Sequence, residues 1–121
     1  VRVSRRRFEE LVADALDSIP EELAEQMENV AVIVEDWPTR EQLAGRGGTL
    51  LGLYEGIALT DRSPIGYAGV LPDRITVFRG PLCELARDEA DLARQVRVTV
   101  VHEIAHHFGI DDAELDALGW T

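Results

Sequence analysis

The stretch from residue 88 to residue 108 decides what this chain can fold into, because its two halves point to different secondary structures. Val96, Val98, Thr99, Val100 and Val101 form a β-branched cluster of the kind that fills strands. The residues that follow, His102-Glu103-Ile104-Ala105-His106-His107-Phe108-Gly109-Ile110-Asp111-Asp112, gather all three histidines of the chain into one run. The chemistry of that run needs helical spacing, so residues 88–108 are read as one long helix. Gly109 stops it, and Asp111 with Glu114 has the form of a capping box that opens a short terminal helix.

On a helix, residues four apart share a face, so the imidazoles of His102 and His106 can converge on one cation from adjacent turns. Glu103 sits one position round from His102, which places its carboxylate beside the metal, in reach of a bound water, without making it a ligand. That geometry suits a general base. Two imidazoles do not complete a site, and a left-handed turn at Gly109 lets the backbone bring in a third ligand from beyond the helix. Asp112 is the expected third ligand, with Asp111, Glu114 and Asp116 as competitors. The usual make-up of a catalytic zinc site, imidazoles with a carboxylate and one open position, names Zn2+ as the cofactor. The alternative, that His102 and His106 are only packed or surface residues, has to treat their spacing and the intervening Glu103 as coincidence. His107 points about 100° away from His106 and is read as a packing residue or one that supports the ligands from behind.

The rest of the chain reads as a mixture of helices and short strands. Phe8, Leu11, Val12, Ala15, Leu16 and Ile19 recur at helical spacing after Ser4, a plausible N-cap, and Pro20 ends that amphipathic run. A shorter helical segment at residues 21–27 leads into Val30-Ala31-Val32-Ile33-Val34, an uninterrupted apolar stretch expected at the centre of a sheet. Pro38 and Thr39 open a brief helical turn through Leu43, and Gly45-Arg46-Gly47-Gly48 reads as a joint. Residues 50–59 are expected to form a strand or hairpin, residues 61–73 a loop punctuated by Gly and Pro, and Ile75-Thr76-Val77-Phe78 a second short strand.

At 121 residues and 45% hydrophobic content the chain supports one compact core, so residues 1–121 are taken as a single domain. Twelve basic residues against 23 acidic give a net charge of −11, which repels phosphate backbones and anionic lipid heads. Nucleic acid and membrane surfaces are therefore not expected partners, and Arg5-Arg6-Arg7 reads as the solvated start of a helix. The lone Cys83 excludes an internal disulfide and is expected to be a buried, inert thiol. No apolar run approaches the ~18 residues that span a bilayer, and the first turns lack a signal-peptide centre, so a cytoplasmic location is expected.

The run matches the pattern H-E-x-x-H-x-x-G-x-x-D, which resembles a metzincin-type zinc site with aspartate in place of the third histidine. Leu51-Gly52-Leu53-Tyr54, Pro72-Asp73-Arg74-Ile75-Thr76-Val77 and the closing helix extend the likeness to a family of short bacterial zincin-like metallopeptidases, over most of the chain from about residue 30 onward. The resemblance implies an α+β minimal zincin fold, a small mixed sheet backed by an N-terminal helix and a long metal-binding helix. It also implies a peptide or protein substrate lying along the edge strand at residues 50–59, and hydrolysis by a metal-activated water with Glu103 as base. One departure from metzincins is that the only methionine in this sequence, Met27, precedes the site, so a methionine turn below the cleft is not expected. Tyr54 or Tyr67 could add a hydrogen bond to an oxyanion, but packing is the expected role of each.

Two other functions fit the same residues. A zincin-like module that binds metal for interaction or regulation, with little or no turnover, is compatible with the shortened cleft. The facial triad of non-haem iron oxygenases also uses two histidines and a carboxylate, but has no evident need for a base at Glu103.

Overall fold

The computed structural model describes residues 1–26, 30–44, 50–55 and 73–119. Six helices and three strands follow in the order α1 (Arg5–Asp17), α2 (Glu21–Gln26), β1 (Val30–Glu35), α3 (Arg40–Leu43), β2 (Gly52–Glu55), β3 (Asp73–Phe78), α4 (Arg79–Leu85), α5 (Glu89–His107) and α6 (Asp112–Leu118) among those residues. The result is an α+β fold with a three-stranded mixed sheet in the order β1-β3-β2. The first pair is parallel, with Val32 opposite Ile75 and Val34 opposite Val77. The second is antiparallel, with Gly52 opposite Val77 and Tyr54 opposite Ile75.

Helix α5 is where the conflicting sequence signals are resolved. Leu92, Val96, Val100 and Ile104, each a turn apart, are fully buried, and Val101 and Ala105 flank that line. Each valine costs about 0.5 kcal/mol of helix propensity relative to alanine. Burying such a side chain contributes about 1.5–3 kcal/mol, so tertiary packing outweighs the local preference for a strand. At its start, Asp88 accepts a hydrogen bond from the Asp91 amide at 2.8 Å, and Asp91 in turn accepts from the Arg87 amide at 3.0 Å. These reciprocal bonds satisfy backbone donors that a helix N-terminus leaves open.

Helix α1 lays Phe8, Leu11, Val12 and Ala15 into the same core, and Ser4 caps it by accepting from the Arg7 amide, as the pattern predicts. The arginine run does more than meet solvent. Arg7 donates through Nε to Glu89 at 2.6 Å, tying α1 to the start of α5, and Arg5 pairs with Glu9. Arg79 bridges Asp36 and the Val3 carbonyl, both at 2.8 Å, and holds the Asp36 carboxyl below its usual range.

The strand at residues 30–35 is not central. Among the described residues β1 lies at one edge and is half-buried, whereas β3 is the middle strand and Ile75, Thr76, Val77 and Phe78 are all buried. Val30, Val32 and Val34 of β1 nevertheless pack against the core, and Val32, Ile33 and Val34 line a cleft whose other wall is Val12 and Leu16 of α1. Thr39 caps α3 in a complete capping box with Gln42. Helix α4 lies where the sequence offered no periodic pattern, and Cys83 within it is half-buried, not fully enclosed. The Gly-rich joint at 45–48 and the loop at 61–72 fall outside the described residues. Among the described residues, no helix is long and apolar enough to cross a membrane.

Candidate active site

Two faces of α5 carry chemistry. His102 and His106 stand one turn apart on the helix, as the spacing requires, and the side chain of His106 lies outside the described residues. After His107 the helix ends, Gly109 adopts the left-handed conformation at φ 79°, and the chain turns into α6. Asp111 caps α6 by accepting from the Glu114 amide at 2.8 Å. That cap fixes the start of the helix whose first residue is Asp112, and it brings the Asp112 carboxylate back to His102, with Oδ1 3.5 Å from Nδ1. The competitor Asp111 is thus engaged by the cap.

Two ligand atoms each about 2.1 Å from a tetrahedral zinc ion stand about 3.4 Å from one another. The His102 to Asp112 separation matches that figure, and nitrogen with carboxylate oxygen is a zinc donor set. One imidazole nitrogen and one carboxylate oxygen at this separation are compatible with a shared zinc ion, and the same spacing suits a carboxylate that orients the imidazole from outside. Among the described residues, which exclude the His106 side chain, no three His, Cys, Asp or Glu side chains are gathered closely enough to hold a metal.

The second face of α5 meets the edge strand. Gly52 of β2 lies so close to the helix that a methyl group built on it would stand 2.6 Å from Thr99 Cγ2 and 3.6 Å from Glu103 Cγ. Only a residue without a side chain lets strand and helix approach this far. The approach shapes a cleft of about 280 Å³ lined by Leu50, Leu51, Gly52, Gln95, Val98, Thr99, His102 and Glu103. Glu103 therefore sits at the strand edge, beside the imidazole of His102.

Farther along the same strand, Tyr54 stacks on His107 with ring centroids 3.7 Å apart and planes inclined by 14°. Its hydroxyl donates to Asp73 Oδ2 at 3.1 Å, and His107 Nε2 lies 3.7 Å from that same oxygen. Burial, then the bond to Asp73, push the Tyr54 phenol up to about 12. Tyr54 and His107 are thus packing residues, as expected, but packed on each other. Their pairing with Asp73 and the close contact at Gly52 were not read from the sequence. The signal that could have found them was the spacing of Thr99, Glu103 and His107, four apart on one helix face, against Gly52 and Tyr54, two apart on one strand face. Tyr67 lies outside the described residues.

A small mixed sheet with an antiparallel edge strand laid against a helix that bears paired histidines and a glutamate is the framework of a minimal zincin-like protein. Residues 27–120 match the family described as zincin-like metallopeptidase, and the chain belongs to that family. Among solved structures it is similar to a conserved hypothetical protein, TTHA0227, from T. thermophilus, at 26% identity and a TM-score of 0.60, with 96% of this chain and 97% of that one covered. No curated protein matches the chain.

Proposed function

We propose that the protein is a zinc-dependent metallopeptidase in which Glu103 is the general base and His102, His106 and Asp112 hold the metal. The observation that carries the reading is the placement of Glu103 in the cleft between α5 and the edge strand, next to His102. Family membership supports the metallopeptidase class and, in general terms, zinc.

The chemistry that a zinc ion supplies when held there is Lewis-acid polarisation of a carbonyl and of a water molecule. An extended peptide pairs with the outer edge of β2, which faces no other strand among the described residues, and so brings its scissile carbonyl to the cleft. Glu103 accepts the proton of the attacking water and returns it to the departing amine. Leu50, Leu51 and Val98 give the cleft in which that transfer occurs an apolar wall.

The test is digestion of a broad peptide library by zinc-loaded wild type and by Glu103→Gln. Cleavage by the wild type, lost in a variant that retains its zinc, supports the proposal. Equal turnover in both removes Glu103 from the mechanism. Zinc binding with no turnover in either identifies a metal-binding interaction module.

A further inference from the structure

We propose that Tyr54, Asp73 and His107 form a latch that holds the C-terminal end of α5 against β2 and so sets how closely Glu103 approaches the strand edge. The catalytic consequence rests on the metallopeptidase reading above, whereas the latch itself rests on the packing geometry.

Thr99, Glu103 and His107 are one turn apart and share the face of α5 that meets β2. Gly52 and Tyr54 are two residues apart and share one face of the strand. Helix and strand therefore touch at two stations. At the first, Gly52 abuts Thr99; at the second, the Tyr54 ring lies flat on His107. Glu103 is midway between them.

The first station is a steric stop, because it limits approach but does not resist separation. The second provides the attraction. Tyr54 of β2 stacks on His107 of α5 and donates to Asp73 Oδ2 at the start of β3 at 3.1 Å, while His107 Nε2, 3.7 Å from that oxygen, is beyond hydrogen-bond reach and is held by the stack. Phe108 adds an edge-on ring contact to His107 at 4.9 Å. Three elements are thus pinned at the last turn of the helix, where backbone carbonyls lack intrahelical partners and fraying begins. The phenol proton of Tyr54 is committed to Asp73, which makes Tyr54 a positioning residue and not an oxyanion donor.

Two pairs of variants test the latch: His107→Ala with His107→Phe, and Tyr54→Ala with Tyr54→Phe. The phenylalanine variants keep a flat ring for the stack. In zinc-loaded protein, each alanine variant is expected to lower kcat by about tenfold or more with KM little changed, since misplacing a reacting group by about 1 Å can cost about a hundredfold. His107→Phe is expected to restore most of the loss. A second measurement needs no turnover: amide hydrogen exchange in both alanine variants should accelerate at residues 52–55 and stay at the wild-type rate at residues 30–35. Wild-type exchange rates at 52–55 in both alanine variants, or equal acceleration in both strands, overturn the latch. Local acceleration with unchanged kcat overturns its effect on Glu103. If wild type cleaves no peptide at all, the metallopeptidase reading fails, and the exchange pattern still decides whether the latch exists.

Discussion

Nδ1 of His102 and Oδ1 of Asp112 stand 3.5 Å apart, although ten positions and a left-handed turn at Gly109 separate the two residues along the chain. The separation suits two atoms that share one tetrahedral ion, and it also suits a carboxylate that orients an imidazole from outside. Their energetics differ. Loss of an orienting partner weakens metal affinity by about 10–100-fold. Asp112→Ala is expected to exceed about a hundredfold, because a ligand is lost. Competition with a zinc chelator measures it, and a loss within the lower range assigns Asp112 to orientation.

Asp111→Ala should act on the same site indirectly. Removing the cap on α6 is expected to cost about 1 kcal/mol of local stability, seen as faster amide exchange in residues 112–118. It should also weaken zinc binding, because Asp112 is the first residue of that helix, but by less than Asp112→Ala does. Equal losses in the two variants would mean that the cap, not the Asp112 carboxylate, governs metal retention.

The contact at Gly52 predicts a rescue. Gly52→Ala places a methyl group 2.6 Å from Thr99 Cγ2, and overpacking of this kind costs about 1–3 kcal/mol. Thr99→Ser removes that Cγ2 atom while keeping the hydroxyl. The double variant is expected to unfold at higher denaturant than Gly52→Ala alone and to regain part of its activity. A double variant no more stable than the single one would place the strain elsewhere.

Asp91 links stability to pH. Its carboxyl is held below the usual carboxylate range by the Arg87 amide first and then by Arg94. A depressed folded-state value means that the ionised form stabilises the fold above the unfolded value of about 3.9. That contribution is lost as pH falls through the folded value. The stability gap between wild type and Asp91→Asn should therefore be flat from about pH 7 to pH 5 and shrink below about pH 4. Urea titrations across that range measure it, and a gap unchanged at about pH 2 would assign the effect to shape and not to charge.

Local chemistry was legible where residues close in sequence had to meet. The i, i+4 spacing of His102 and His106 argued for a helix through the β-branched cluster at 96–101, and α5 runs from Glu89 to His107. Ser4, Thr39 and Asp111 each cap the helix that their position announced. Strand order was harder to read, because an apolar run such as that of β1 can pack against the core from an edge position as well as from a central one. Helix α4 was missed; Pro81 lies in its first turn, where proline is tolerated, but at the third position and not the first that marks a helix start. The meeting of Tyr54, Asp73 and His107 joins residues 19 and more positions apart, and hydrophobic periodicity carries no information at that range.

Helix α5 interleaves two vocabularies in 19 residues. Leu92, Val96, Val100, Val101, Ile104 and Ala105 hold the molecule together, while His102 and Glu103 occupy the positions between them. Substitutions in the second set leave the first intact, so descendants of such a chain can shed their chemistry in single steps and keep their shape. A lineage built on this helix can thus exchange its site residues one at a time while its framework persists.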